Sequence, residues 1–408
     1  MKIVVMKFGG TSVANVDKIR KVSKTVINQL KNNKVVVVLS AMAGVTNQLQ
    51  SYIEEINSSN NNFIPSSESD LIMTSGEQVT VGILSMILNQ QNIKSVALLG
   101  WQIPIVTDMN YKKSKILNIN NENLEKYFKI YDVIVLAGFQ GVNIEGKITA
   151  LGRGGSDTTA VAIAASLNAE RCDIYTDVEG VYTTDPNIES SAKKIDKLAY
   201  EEMLEMSSTG AKVLQTRSVE LAMKNNLTLQ VLSSLINKKG TFIVNENDLI
   251  EKEIVSGVSY SKNESKITIS GIPDKPGISA KIFGLMASNN INVDMIVQNI
   301  SQDGINANMT FTVPSESLEF AKKIIKDRDQ EIEYMNLSTD SDIAKISVIG
   351  MGMMSQSGVA EKMFNALAIK GINILAISTS EIKISVLIKQ KYTEEAVKSL
   401  HNVYKLDN

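Results

Sequence analysis

Two hydrophobic rhythms alternate along the first part of the chain. Residues 3–6, 35–39 and 133–137 are unbroken apolar runs rich in β-branched side chains, the pattern of parallel strands covered on both faces. Residues 174–175 and 229–232 read as later strands. From Val16 onward, Ile19, Val22, Val26 and Ile27 share one helical face. Residues 157–169 and 200–224 have the same helical character. Strands alternating with helices predict an α/β domain with a largely parallel sheet over residues 1–245. In such sheets ligands lie beyond the carboxyl ends of strands, so the polar residues that follow strands matter most.

After N-E-N-D at 245–248 the rhythm becomes an internal repeat. I-S-G-I-P-D-K-P-G-I-S-A-K-I-F-G from Ile269 matches V-I-G-M-G-M-M-S-Q-S-G-V-A-E-K-M-F from Val348. Gly277 pairs with Gly358, Lys281 with Lys362, Phe283 with Phe364 and Asn292 with Asn373. Each unit reads strand, glycine turn, helix, strand, strand, helix, a ferredoxin-like order. The units are expected at 250–340 and 341–408. The second lacks a final strand, whereas a strand-like stretch from Ile254 to Tyr260 precedes the first. The two units are therefore expected to interleave.

Composition narrows the chemistry. The chain has 408 residues with a formal net charge of −2, so no strong field draws it to nucleic acid or an anionic membrane. A single cysteine, Cys172, permits no intrachain disulfide and suits a reducing compartment. A single histidine, His401, leaves chemistry to Lys, Arg, Asp, Glu, Ser and Thr. No secretory signal is read, and no run is expected to reach the ~20 apolar residues of a membrane span; a cytoplasmic protein is expected. The polar stretches at 57–62 and 121–123 read as surface loops.

Several motifs follow strands. K-F-G-G-T-S-V (7–13) joins a strand to a helix through a glycine turn beside a cation, suited to phosphate. S-A-M-A-G-V-T-N (40–47) offers small residues for close ligand approach, with Thr46 and Asn47 as hydrogen-bonding groups. L-G-R-G-G-S-D-T-T-A (151–160) sets Arg153 among glycines ahead of a helix with Ser156 or Asp157 as its expected N-cap. Arg153 can grip a carboxylate bidentately. Glu77, in T-S-G-E-Q-V, reads either as a helix-start residue or as the partner of an ammonium. I-Y-T-D-V-E-G-V-Y-T-T-D-P-N (174–187) is crowded with hydroxyls and carboxylates, which hold a nucleotide or satisfy themselves in Asx turns. G-x-x-x-x-G-K-[ST] is absent. G-M-G-M-M-S (350–355) has Ser355 in place of a third glycine, and a dinucleotide site is rejected there.

Taken in order, these motifs resemble those of the aspartokinases, and the C-terminal repeat resembles that family's paired ACT domains. The resemblance spans the chain and implies an amino-acid-kinase three-layer α/β domain followed by two interleaved ACT units, in the monofunctional form. It implies ATP-dependent phosphorylation of the L-aspartate β-carboxylate to 4-phospho-L-aspartate. That is the first step toward lysine and diaminopimelate, threonine and methionine, under amino-acid feedback. ATP with Mg²⁺ is the implied cofactor, without a dedicated metal cage. Lys7, Arg153 and Asp157 would be catalytic. Lys7, Phe8, Gly9, Gly10, Ser40, Thr176, Asp177, Tyr182, Asp185 and Lys212 would hold the nucleotide. Ser40, Thr46, Glu77, Arg153, Gly154, Gly155 and Ser156 would hold aspartate.

For the effector, lysine with or without threonine, the implied residues are Asp274, Gly277, Ala280, Asn292, Asp294 and Gln298. The second unit has Leu375 where Asp294 stands. A homo-oligomer through the ACT units is expected, with no nucleic-acid or membrane partner. Two positions depart from the family pattern: Gln215-Thr216 replaces His-Pro, and Asn187 stands where Arg is common. The alternatives are a sibling kinase of the same fold, acting on acetylglutamate, glutamate or uridylate, and a non-catalytic ACT sensor of amino acids.

Overall fold

The structure is a computed structural model that describes residues 2–57, 65–208, 213–249, 253–300 and 305–407. It divides into two compact units. The first comprises Met1–Val181, Lys194–Ser207 and Lys212–Ile250; the second comprises Tyr182–Lys193, Ser208–Ala211 and Glu251–Asn408.

In the first unit the strands are β1 (Lys2–Phe8), β2 (Asn33–Leu39), β3 (Ser95–Leu98), β4 (Ile105–Thr107), β5 (Ile116–Ile119) and β6 (Val133–Ala137). They continue with β7 (Gln140–Val142), β8 (Ile148–Ala150), β9 (Arg171–Thr176), β10 (Lys197–Ala199), β11 (Leu229–Ser233) and β12 (Thr241–Val244). The main sheet has eight strands in the order β10-β12-β11-β9-β1-β2-β6-β3. It is parallel from β11 through β9, β1, β2 and β6 to β3; β12 runs antiparallel to β11. The unbroken apolar runs are the central strands, and every residue of β6 is buried.

The helices of this unit are α1 (Val16–Leu30), α2 (Val45–Asn57), α3 (Ser67–Met73), α4 (Ser75–Gln90), α5 (Asn121–Tyr127), α6 (Gly155–Ser166), α7 (Tyr200–Ser208) and α8 (Thr216–Lys224). Ile19, Val22 and Val26 of α1 and Val81, Leu84 and Leu88 of α4 cover one sheet face, packing on Val4, Met6, Val35, Val37, Val133 and Val135. Strand alternation turns Val5, Val36 and Ile134 to the other face, and α6 packs against β1, β2 and β9. A small sheet, β5-β4-β7-β8, carries the chain into α6.

Three expectations change. The stretch 200–224, read as helical in character, holds two helices, α7 and α8, and Gln215 is extended at the start of α8; residues 209–212 lie outside the described residues. Asn121 to Asn123 open helix α5, capped by Asn120, instead of forming a loop. The run Ser67–Gln90, across α3 and α4, is apolar and long enough by composition to match a membrane span, but half of that window is buried in the fold, and Asp70 and Glu77 lie within it. Residues 58–64, most of the polar stretch after Asn57, lie outside the described residues.

The second unit continues with β13 (Gly257–Ser261), β14 (Glu264–Pro273), α9 (Ile278–Ser288), β15 (Asp294–Ile300), β16 (Asn306–Pro314), α10 (Leu318–Lys326), α11 (Asp329–Ile332) and β17 (Asn336–Asp340). Its second half is β18 (Ile343–Ile349), α12 (Val359–Ile369), β19 (Ala376–Thr379), β20 (Lys383–Lys389) and α13 (Thr393–Val403). Two antiparallel four-stranded sheets result, β15-β16-β14-β17 and β13-β18-β20-β19. β13 pairs with β18 from Gly257↔Ile349 to Ser261↔Lys345, so the strand ahead of the first repeat completes the sheet of the second, as the interleaving requires. The G-M-G at 350–352 is explained by this threading. A Cβ on Gly350 would lie 2.3 Å from the Ile254 carbonyl oxygen, and one on Gly352 would lie 2.6 Å from that of Glu253. These glycines admit the incoming chain.

His401 is buried in this unit, with Nε2 3.0 Å from Thr183 Oγ1. Burial pushes its pKa below the ordinary histidine value, against the opposing pull of Glu189 and Asp407. It is a structural residue of the fold.

Candidate functional site

The polar motifs converge at the carboxyl ends of β1, β2 and β6, which are sheet neighbours. Lys7 lies near the end of β1, and its Nζ is 2.5 Å from Asp157 Oδ1, both side chains being largely buried. Asp157 sits in the first turn of α6, whose N-cap is Gly154 in the left-handed conformation and not Ser156 or Asp157 as the pattern suggested. With the cap three residues before Asp157, its carboxylate does not serve as the cap and is free for Lys7.

Beyond β1 the chain turns through Gly9 and Gly10 into a short 3-10 turn, Gly10–Val13. Phe8 stacks on Tyr175 of β9 at 4.3 Å between ring centroids, and Gly9 N–H donates to the Tyr175 carbonyl at 3.4 Å. This places Thr176 and Asp177, at the end of β9, beside the K-F-G-G turn. Thr176 Oγ1 donates to Asp177 Oδ1 at 2.9 Å.

Glycines let three motifs meet at Ala41. A Cβ on Gly10 would lie 2.8 Å from the Ala41 carbonyl oxygen, and one on Gly76 would lie 2.7 Å from Ala41 Cβ. The turn after β2 is thus held between the turn after β1 and the start of α4. Ser40 N–H donates to the Phe8 carbonyl at 3.1 Å, and Thr80 Oγ1 donates to the Ser40 carbonyl at 3.0 Å. Thr46 lies half-buried in the first turn of α2. Gly138, after β6, has its Cβ direction 2.7 Å from Ser156 Oγ, which brings the buried Ser156 to the same end of the sheet.

Glu77 is 3 % exposed. Its Oε1 accepts from Ala41 N–H at 3.1 Å, while its buried Oε2 has no hydrogen-bond partner among the described residues. Burial raises its pKa to about 7, with the Ala41 N–H pulling the other way. A buried carboxylate with an open acceptor is poised for a cation or a proton. Arg153 is exposed, in the glycine-rich loop that leads into α6.

The structure therefore brings together Lys7, Phe8, Gly9, Gly10, Ser40, Glu77, Gly155, Ser156 and Asp157, with Thr46, Arg153, Gly154, Thr176 and Asp177 on adjoining segments. Lys212 lies outside the described residues. Tyr182 and Asp185 belong to the second unit, where Asp185 accepts from Asn187 N–H at 2.9 Å and from Tyr260 Oη at 2.9 Å. Sequence reasoning missed Phe139, which follows β6 with φ +68°, an uncommon backbone for an aromatic residue. Its N–H donates to Thr159 Oγ1 at 3.1 Å, and a Cβ on Gly155 would lie 2.7 Å from its ring. The glycines on either side of Phe139 and Gln140 were the available signal.

In the second unit the residues read as an effector site also gather. Gly277 is the left-handed N-cap of α9, with Asp274 and Ala280 exposed beside it and Asn292 exposed ahead of β15. Ser279 Oγ donates to Gln298 Oε1 at 3.1 Å, joining α9 to β15. Asp294 already has a partner: Lys345 Nζ, from β18, donates to its Oδ2 at 2.6 Å and lies 3.0 Å from Glu264 Oε1. Burial opposes the charge on Asp294, and the Lys345 ammonium outweighs it and holds the carboxyl below its ordinary value.

Residues 2–233 match the amino acid kinase family model, and residues 267–328 and 346–404 match an ACT domain model. An aspartate kinase from Pseudomonas fluorescens strain SBW25 is 47% identical over 409 residues, covering 100% of this chain and 98% of its own length. The chain belongs to the aspartate kinase family. It is accordingly a kinase with a carboxyl group as acceptor, built from an amino acid kinase domain and ACT domains. The fold agrees with crystal structures of E. coli aspartokinase III. The complex with aspartate and ADP, called the R-state, has a TM-score of 0.82 at 24% identity over 98% of this chain and 99% of that one. The complex with lysine and aspartate, called the T-state, has a TM-score of 0.76 at 25% identity over 98% and 99%.

Proposed function

We propose that the enzyme transfers the γ-phosphoryl group of ATP to the β-carboxylate of L-aspartate, giving 4-phospho-L-aspartate and ADP. A carboxylate oxygen forms the new bond to phosphorus, and the bond to the β-phosphate oxygen breaks with its electron pair leaving on ADP. The acceptor has a pKa near ~4 and arrives ionised, so no general base is needed. The remaining work is positioning and charge neutralisation. Lys7, held by Asp157, with the backbone of Phe8, Gly9 and Gly10 and with Ser40, would face the β- and γ-phosphates; Lys212 joins them on its motif alone. Thr176 and Asp177 would line the nucleotide, and Tyr182 and Asp185 are assigned to it on the motif alone. Arg153, Gly154, Gly155, Ser156 and Thr46 would hold the substrate carboxylates, and Glu77 the α-ammonium.

The observation that carries this reading is the open, buried Oε2 of Glu77, held at the turn after β2, at the same end of the sheet as the Lys7–Asp157 pair at the end of β1. Mg²⁺ would enter with ATP, its protein-independent ligands being phosphate oxygens and water. Among the described residues no group of three or more His, Cys, Asp or Glu gathers to hold a metal. The test is ATP turnover with aspartate, glutamate, N-acetylglutamate and uridylate, trapping acyl phosphate with hydroxylamine. Aspartate hydroxamate should dominate; equal or faster turnover of another acceptor would overturn the assignment. We infer that this reaction opens the route to lysine and diaminopimelate, threonine and methionine, and that it runs in the cytoplasm.

The second unit is proposed to be the feedback sensor, binding lysine with or without threonine at Asp274, Gly277, Ala280, Asn292, Asp294 and Gln298. Support comes from the exposed α9 N-terminus, suited to an α-carboxylate. Asp294 adds to it: with Lys345 and Met295 N–H bound, the half-exposed carboxylate keeps acceptor capacity for an amine. The hydrogen bond from Tyr260, on β13, to Asp185 supports a route from the ACT sheet to the Y-T-T-D-P loop. β15 is an edge strand with exposed Ile296 and Ile300, which supports a homo-oligomer through the ACT units. Asp294→Ala should keep the basal rate, because Lys345 retains Glu264, and should abolish inhibition by lysine. If lysine and threonine, singly and together, leave the wild-type rate unchanged, the sensor reading fails.

A further inference from the structure

The loop that carries Arg153 is a poor mount. Gly152 and Gly154 both have positive φ, at +79° and +68°, and glycine backbone is the most costly to order. Two charged side chains from distant helices grip the backbone just ahead of it. Asp70, in α3 and 1 % exposed, accepts from Ala150 N–H at 2.7 Å and, through both oxygens, from Lys112 N–H at 3.0 Å. Arg217, in the first turn of α8, donates to the Leu151 carbonyl at 2.8 Å and to the Ser114 carbonyl at 2.9 Å. Ser114 N–H closes the frame by donating to the Ala150 carbonyl at 3.0 Å. Gln215, one of the two departures from the family pattern, packs its Cγ against Gly154.

For this the Asp70 carboxylate is buried and the Arg217 side chain half-buried. Burial raises the Asp70 pKa against its backbone hydrogen bonds, and lowers that of Arg217 against the pull of Asp108 and Glu220. Asp70 accepts only from backbone N–H groups and Arg217 donates only to backbone carbonyls in these contacts. Burying ionised groups is expensive, and charge-assisted hydrogen bonds to a fixed backbone are the return for it. Residues 150–151 are held from the N–H side by a carboxylate and from the carbonyl side by a guanidinium, and residues 112–114 are held by the same two groups.

We propose that Asp70 and Arg217 are positioning residues for Arg153: they fix the backbone from which its guanidinium reaches the substrate. The inference rests on Arg153 as the grip on the aspartate carboxylate. Neither residue touches substrate; each acts through the loop. Misplacing a binding group by about 1 Å costs on the order of 100-fold.

The test is a double-mutant cycle in the full-length enzyme. Arg217→Gln should raise the KM for aspartate by ~10- to 100-fold while leaving the KM for ATP within about twofold, and Arg217→Lys should recover part of the loss. In an Arg153→Ala background the Arg217→Gln effect on the aspartate KM should vanish, as coupling through Arg153 demands. An aspartate KM unchanged by Arg217→Gln, or raised equally with and without Arg153, overturns the positioning role. If Arg153→Ala alone leaves the aspartate KM unchanged, the reading of Arg153 as the substrate grip is what fails. Should Arg217→Gln not fold, Arg217→Lys carries the same cycle.

Discussion

Lys7→Gln is expected to leave a folded enzyme whose kcat is reduced by at least ~100-fold, with aspartate affinity little changed. Lys7 Nζ is 2.5 Å from Asp157 Oδ1 in a largely buried setting, so the pair presents a fixed ammonium at the end of β1. Charge develops on the transferred phosphoryl group, and a preorganised cation there is worth on the order of 3 kcal/mol or more. Glutamine is the informative replacement. Alanine would leave Asp157 as a buried carboxylate without its cation, at a cost of about 3–5 kcal/mol in stability, and loss of fold would mimic loss of catalysis. The glutamine amide can still donate to Asp157. Single-turnover kinetics with circular dichroism on the same sample decide the matter. An unchanged kcat in the folded variant would show that Lys7 serves only to balance Asp157.

The layout of the fold was legible because it is written in local rhythms. Parallel strands buried on both faces produce runs such as V-V-V-V-L, and the second-unit repeat aligns at its glycine turns and helices. Even the interleaving followed from arithmetic: one unit was a strand short and a spare strand stood before the other, and β13 pairs with β18. Where local signals conflicted the reading slipped. Gly154, with its free access to positive φ, took the N-cap that Ser156 or Asp157 would otherwise fill.

The site divides in the same way. Lys7, Arg153 and Glu77 stand beside glycines that follow strands or open helices, a pattern visible along the chain. Asp70 and Arg217 carry no such mark. Their partners are backbone groups of residues 112, 114, 150 and 151, and nothing in the side-chain sequence announces a hydrogen bond to a distant backbone. The Lys345 partner of Asp294 was hidden for a related reason: the two are 51 residues apart and on different sheets, and only the packing of one ACT repeat on the other makes them meet.

Glu77→Gln is expected to raise the KM for aspartate and to stabilise the ligand-free enzyme at alkaline pH, two effects that separate binding from folding. The binding effect follows from the open Oε2. Replacing a buried carboxylate by a neutral amide removes a charge-assisted contact to the α-ammonium, about 2–3 kcal/mol or roughly 30- to 150-fold in KM. The same charge sets a pH dependence. With a pKa near about 7, wild-type Glu77 is protonated as the pH falls below that value, so the aspartate KM should climb on acidification and the variant's should not follow.

The stability effect has the opposite sense. The folded pKa of Glu77 lies above its ordinary 4.5, so between these values the folded state binds the proton more tightly than the unfolded chain. That contribution is fully present below about pH 4.5 and is lost as the pH rises through about 7. Above it the wild type carries a buried charge costing on the order of 3 kcal/mol, about 1.4 for each pKa unit. Glutamine never ionises and escapes this cost. At pH 8 Glu77→Gln should therefore melt at a higher temperature than wild type without ligand, and the gap should narrow toward pH 5. Saturating aspartate should narrow it at pH 8 by stabilising the wild type more than the weaker-binding variant, because the ammonium compensates the carboxylate only where there is one. A variant that binds aspartate as tightly as wild type would remove Glu77 from the substrate site, leaving its open oxygen without a role.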